Sequence, residues 1–370
     1  MTKNDTVLGS KEIICILANQ ITVKVFVGQA RLFSSWAANA AWMMYIIGFL
    51  CQIGIFFLTA YLYKKDYDQD PVSLAGSEFG RAGEILVGVL FLLYVLFSFS
   101  ALTRLYVEAL KAAIFQYSPV WYILLFFLIS IGFITYLGLN TASALHVILF
   151  PIIIIVMLLN CIFSFSRVEL TNLFPIFGNG IGDIVSRIPE AMGASTEILI
   201  LYFFLPMSSR DKFPKKVGFL ALLIGGLATF FSLMTYVLTV VYPASTQYFL
   251  SMYQISRLSL VGKILNRAED LFEIFWMTSV ILALSIKLWL IVHILKKIFK
   301  IDNEKPLIWP VCIFGFALSF LPVSLRDTIT AYEVYYTENL RWMIAFLPMI
   351  VLLAVKIKKK IGGRKHARNL

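Results

Sequence analysis

Stretches of about 20 apolar residues recur along the whole chain, and that recurrence limits the fold more than any motif does. A helix rises ~1.5 Å per residue, so each run matches a hydrocarbon core ~30 Å thick. Inside a bilayer every backbone amide must find its partner within the protein. Continuous apolar runs, lacking the alternation of a barrel strand, meet that demand only as helices. The sequence therefore predicts an all-α integral membrane protein with about ten transmembrane helices, at residues 13–30, 38–63, 84–115, 120–137, 143–165, 189–207, 217–241, 271–298, 307–323 and 340–355. A hydrophobic content of 60% supports this, against ~45–50% in a soluble domain.

Orientation follows from the basic residues. Lys and Arg lie about two to one on the side that holds both ends of the chain. Arg210, Lys212, Lys215 and Lys216 fall there, as do Lys296, Lys297, Lys300 and Lys305, and the tail from Lys356 to Arg368. The N- and C-termini are accordingly expected in the cytoplasm, with the net charge of +11 read as topology signal and attraction to anionic lipid. Basic residues spread over loops form no aromatic-interleaved face, so no nucleic-acid partner is expected. The first span is expected to be retained, because Asp5 and Glu12 stand beside Lys3 and Lys11 and spoil a basic leader.

Several chemistries are unsupported. Cys15, Cys51, Cys161 and Cys312 sit apart in apolar spans, and His146, His293 and His366 form no cluster, so no metal or other cofactor is expected. The glycines from Gly178 to Gly182 follow no strand and read as a tight loop rather than a phosphate cradle. Glu269 and Glu273 are one turn apart, but spacing alone makes no acid/base pair, and the chain is not expected to be an enzyme.

With no linker to separate a soluble part, residues 1–370 read as one membrane domain. The polar loop 167–187 divides it into halves 10–166 and 187–357, followed by a basic tail 358–370. Five spans per half is the arithmetic of a five-plus-five inverted repeat, in which the first helix of each half is often broken at mid-membrane. Both candidates carry polar groups at mid-span. The first holds Asn19, Thr22 and Lys24, and the sixth holds Gly193, Ser195 and Glu197. A charge at that depth costs ~2.5–3.5 kcal/mol on insertion scales and calls for a partner. Lys24 and Glu197 are the natural pair, either binding a small zwitterion, forming a gate, or fixing helix packing. Arg104 and Glu108 share a helix face in the third span, and Arg267, Glu269 and Trp276 mark the entry to the eighth. An ion pair at the membrane edge and an interfacial anchor are the plain readings of these two sets.

Several segments resemble the endospore germination permease family. Leu170-Thr171-Asn172-Leu173-Phe174-Pro175-Ile176-Phe177-Gly178-Asn179-Gly180 is similar to that family's loop after helix 5. Arg267-Ala268-Glu269, followed after six residues by Trp276, is similar to its helix 8 pattern. Thr103-Arg104 with Glu108 and Pro119, and Trp42 opening the second span, also fit. The resemblance runs from about residue 10 to 355. It implies a fold of the amino acid–polyamine–organocation type. It also implies a B subunit of a spore germinant receptor in the spore inner membrane, sensing a small nutrient such as an amino acid alongside A and C subunits. Arg104, Glu108, Arg267, Glu269 and Trp276 would then support the helices or the assembly. The alternatives are a secondary transporter of an amino acid or organic cation, and a membrane scaffold or water/ion pathway.

The chain departs from relatives in two places. Where they carry Gly-x-Gly and Leu-Pro in helix 1, it has Val23-Lys24-Val25 and Val27-Gly28. If helix 1 unwinds there, Lys24 is free to neutralise Glu197 or meet a carboxylate; if it does not, the pocket is altered. The family's Arg early in helix 5 has no counterpart among Ser143, Ala144 and Leu145, which fits a different germinant or a non-responding paralogue.

Overall fold

The computed structural model describes residues 8–63, 68–208, 214–258, 268–341 and 344–368. Among these there is no sheet; the sole extended pairing is one isolated bridge between Leu8 and Ser208. Among the described residues seven helical stretches are long and apolar enough to cross a membrane, and Lys305–Ser319 is a shorter apolar helix. Three expected spans fall outside the seven for local reasons. The first is divided at mid-length, the ninth is short, and the tenth starts only at Leu347 and runs into the basic tail.

The first span begins as α1 (Ser10–Thr22), tightens into a 3-10 turn (Val23–Phe26), and resumes as α2 (Gln29–Ala37). Valines at 23, 25 and 27 have stiff side chains that favour extended backbone, and Val27 is extended at φ −128°. Gly28 then turns left-handed at φ 68°, a conformation that costs other residues more. The Gly28 amide donates to Phe249 O at 2.8 Å, which fixes the break against a later loop.

α3 (Ala41–Tyr63), α4 (Pro71–Ala113), α5 (Val120–Leu137) and α6 (Leu139–Phe163) follow. Asp70 caps α4 by accepting from the Val72 and Ser73 amides, with Pro71 in the first turn, and Gly80 at φ 70° kinks the helix near its start. Asp70 also pairs with Lys297. Burial opposes the charge on Asp70, but the Lys297 ammonium holds its carboxyl below the usual carboxylate range.

The loop after α6 lies against the bundle as its glycines suggested. A Cβ at Gly178 would fall 2.1 Å from Ala37 O, and φ there is 56°. Short helices α7 (Ile181–Ser186) and α8 (Ile188–Met192) lead into the sixth span. That span continues as a 3-10 segment (Gly193–Ile200), α9 (Leu201–Phe204) and a final 3-10 turn (Leu205–Met207). Ser195 is non-helical at φ −120°, ψ 20°, so the backbone is irregular here too.

The second part of the bundle is α10 (Pro214–Thr239), α11 (Ser251–Leu258), α12 (Ala268–Phe299), α13 (Lys305–Ser319) and α14 (Leu325–Thr330). A π-helical segment (Ala331–Arg341) and α15 (Leu347–Arg368) complete it. α1 packs mainly on α10 and α6, and α12 on α4, α5 and α6. The first and sixth spans are thereby held at the centre, and 83% of the most apolar stretch of each of Ile188–Met207 and Phe272–Phe299 is buried.

Candidate functional site

The two irregular segments meet. Breaking a helix frees carbonyls that must be satisfied internally at this depth. Val23 O accepts from Tyr106 Oη at 2.9 Å, and Ala194 O accepts from Lys24 Nζ at 2.7 Å. The same Lys24 ammonium forms an ion pair with Glu197.

Glu197 is the hub. Lys287 Nζ on α12 stands 3.9 Å from its Oε1, and Arg341 Nη2, at the end of the π-helical segment, stands 3.8 Å from its Oε2. Tyr336 Oη donates to Oε1 at 3.4 Å. A chain of donors closes the ring: Lys287 Nζ donates to Ser98 Oγ at 3.0 Å, and Ser98 Oγ donates to Tyr336 Oη at 3.0 Å. Tyr94 Oη is 3.2 Å from Tyr336 Oη. Lys24, Glu197, Lys287 and Arg341 are 1%, 3%, 3% and 1% exposed, so all four are withdrawn from solvent. A cavity of about 20 Å³ adjoins the cluster, lined by Thr196, Glu197, Lys287, Tyr94, Phe91 and Leu290 among others.

Contacts bridge the bundle on either side of this centre. Towards α2, Arg31 pairs with Glu333 and Trp36 Nε1 donates to Glu338 Oε1 at 3.1 Å, binding α2 to the π-helical segment. At the opposite end the Leu8 amide donates to Met207 O at 2.8 Å, which ties the start of the chain to the end of the sixth span.

The expected pocket residues divide into two groups. Lys24, Gly193, Ser195 and Glu197 are buried where the broken segments meet. Asn19 and Thr22 are engaged in packing: Asn19 Nδ2 donates to Ser279 O at 3.0 Å and Thr22 Oγ1 donates back to Ala18 O at 3.0 Å. Neighbouring Gln20 similarly donates to Ala283 O at 2.6 Å, so α1 is riveted to α12.

The supporting residues are also distinct. Arg104 donates to Glu108 Oε1 at 3.0 Å and to Ser319 O at 3.2 Å, joining α4 to α13 in a buried contact rather than at an exposed edge. Trp276 is no interfacial anchor: it is buried against Phe26 and Tyr106, with ring centroids 6.1 Å away in each case, and so backs the break in the first span. Arg267 and the Glu269 side chain lie outside the described residues.

Lys287, Arg341, Tyr336, Ser98 and Tyr94 were not singled out from the sequence as parts of the site. Lys287 carried a usable signal, a charge in mid-span. Arg341 lies at the start of the expected tenth span.

The fold of this chain is similar to that of solved membrane proteins. Mhp1, a nucleobase-cation-symport-1 family transporter solved in a closed conformation with bromovinylhydantoin bound, is similar in fold. Its TM-score is 0.63 at 13% identity, over 89% of this chain and 76% of that one. MhsT in complex with L-phenylalanine has a TM-score of 0.61 at 13% identity, covering 94% and 98%. The class is therefore that of multi-pass helical membrane proteins sharing this fold. Within it, the family described as spore germination protein matches residues 10–328, and the chain belongs to that family. Spore germination protein A2 of Bacillus subtilis (strain 168) is 21% identical over 334 residues, 86% of this chain and 87% of the relative. The protein is thus a germinant receptor-like or permease-like protein of the spore inner membrane or cell membrane.

Proposed function

We propose that this chain is the permease-like subunit of a germinant receptor. A small solute, of the size of an amino acid, binds where the break at Val23–Gly28 meets the segment Gly193–Ile200, with Lys24, Gly193, Ser195 and Glu197 at its centre. Binding favours one of two packings of the bundle, and the shift passes to partner subunits of the A and C kind. A solute moves such an equilibrium only by its difference in affinity for the two packings. The observation that carries this reading is the buried Lys24–Glu197 pair held between two broken spans. Two charges at that depth are costly as mere packing, and freed backbone groups stand beside them.

The halves 10–166 and 187–357 would act as the two arms, with both chain ends in the cytoplasm. The start of each half carries an irregular helix, which supports that division.

Spores carrying Glu197→Gln, with normal amounts of the protein in the membrane, are expected to lose their response to germinant. The paired variant Lys24→Met/Glu197→Gln covers the case in which the single variant fails to accumulate. An unchanged dose response in either contradicts the proposal. A transporter reading draws on the likeness of fold to Mhp1 and predicts flux of a labelled solute into proteoliposomes holding this chain without partners.

A further inference from the structure

The charges around Glu197 do not balance. Lys24, Lys287 and Arg341 bring three positive groups, and among the described residues Glu197 is the one carboxylate within 4 Å of any of them. With all four buried, three basic side chains share a single carboxylate among the described residues.

The excess of basic groups is localised. Lys24 is engaged by Glu197 and Ala194 O. Lys287 has Ser98 Oγ, a neutral acceptor. Arg341 is the least satisfied: its Nε and Nη2 are buried and make no hydrogen bond among the described residues, and its guanidinium lies over the Tyr336 ring, 5.8 Å from the centroid. A guanidinium keeps its charge at every physiological pH and presents a planar fork suited to a carboxylate.

We propose that the pocket takes a small anion, a monocarboxylate, held by Arg341 and Lys287, while Lys24 already occupies Glu197 in the place a ligand's ammonium would need. This rests on the solute-binding reading above and names the ligand class. An α-amino acid zwitterion would bring an ammonium for which the centre has no unengaged carboxylate. The neighbouring cavity of about 20 Å³ is lined by Glu197 and Lys287 but not by Arg341, and it holds no more than a water-sized group, so a solute reaching both cations requires the surrounding segments to move apart.

The test uses the purified full-length chain in detergent, in a buffer whose only anion is large and weakly binding. Thermal shift is measured with acetate, propionate and butyrate, with chloride, and with zwitterionic alanine. A monocarboxylate is expected to stabilise the protein, with affinity falling at least tenfold in Arg341→Gln and in Lys287→Gln. Chloride acting alone through the same two residues would keep the anion site and assign it to an inorganic ion, overturning the carboxylate. Stabilisation by alanine but by no anion would overturn the anion class and leave the solute-binding reading standing; stabilisation by none would overturn both. A second readout needs no ligand. Because Arg341→Met and Lys287→Met remove uncompensated charge, each is expected to raise the melting temperature of the unliganded protein. A fall of several degrees in both would show that the charge is already balanced and would overturn the proposal.

Discussion

Lys24, in the break of the first span, reaches the sixth span at two points, pairing with Glu197 and donating to Ala194 O at 2.7 Å. One side chain thus satisfies both a buried charge and a backbone carbonyl released by irregular winding. The pair ties together two segments whose backbone departs from regular α-helical winding.

Removing one member of this pair should be far worse than removing both. Glu197→Gln leaves three buried cations without a carboxylate, and breaking a buried pair costs about 3–5 kcal/mol. Lys24→Met in the same chain should recover a large part of that loss. A double-mutant cycle on thermal stability in detergent checks this; simple additivity would mean the two residues act independently.

Gly28 has a narrower role. At φ 68°, with Glu333 Oε1 3.5 Å from where a Cβ would sit, the position suits glycine. Gly28→Val is expected to cost at least ~1–2 kcal/mol from the left-handed backbone, and to loosen the Arg31–Glu333 contact. The measurement is the melting temperature, compared with Gly54→Val, where a Cβ meets nothing within 4 Å.

Arg104→Lys should be a damaging substitution. The guanidinium serves Glu108 and Ser319 O together, and a single ammonium cannot hold both positions. A loss of about 1.5–3 kcal/mol is expected, typical of hydrogen bonds to a charged group. Stability equal to wild type would show that the α4–α13 link does not depend on the fork.

Asp70 gives a pH signature at the membrane edge. Its folded carboxyl titrates below the usual range, so its pairing with Lys297 adds stability above the unfolded value of ~3.9 and loses it as pH falls through the lower folded value. Wild type should therefore exceed Asp70→Asn in thermal stability at pH 7 and still do so near pH 5, with the gap closing only in stronger acid. A gap that closed between pH 6 and 5 would contradict the depressed carboxyl.

The helical membrane class was legible because apolar length is a property of single segments, and Lys24 and Glu197 were legible because a charge at mid-span is conspicuous in isolation. The glycine loop at Gly178 also read correctly, since only a residue without a Cβ passes Ala37 O so closely. Convergence was less visible. Lys287 and Arg341 come to Glu197 only because α12 and the π-helical segment pack against the sixth span, and π winding shifts Arg341 off the period by which a helix face is read. Trp276 resembled an edge anchor because its burial depends on Phe26 and Tyr106 from two other elements. The hydrogen bond from Asn19 to Ser279 O was equally invisible, its partner being distant in the chain.

The most direct measurement is a thermal-shift screen of amino acids, organic acids, sugars and nucleosides on the purified protein, run in parallel on wild type and Lys24→Ala. A solute that stabilises wild type and leaves Lys24→Ala unchanged is the expected result, placing its site at the break in the first span. A solute that stabilises both proteins equally would put the site elsewhere and contradict a binding centre built on Lys24 and Glu197.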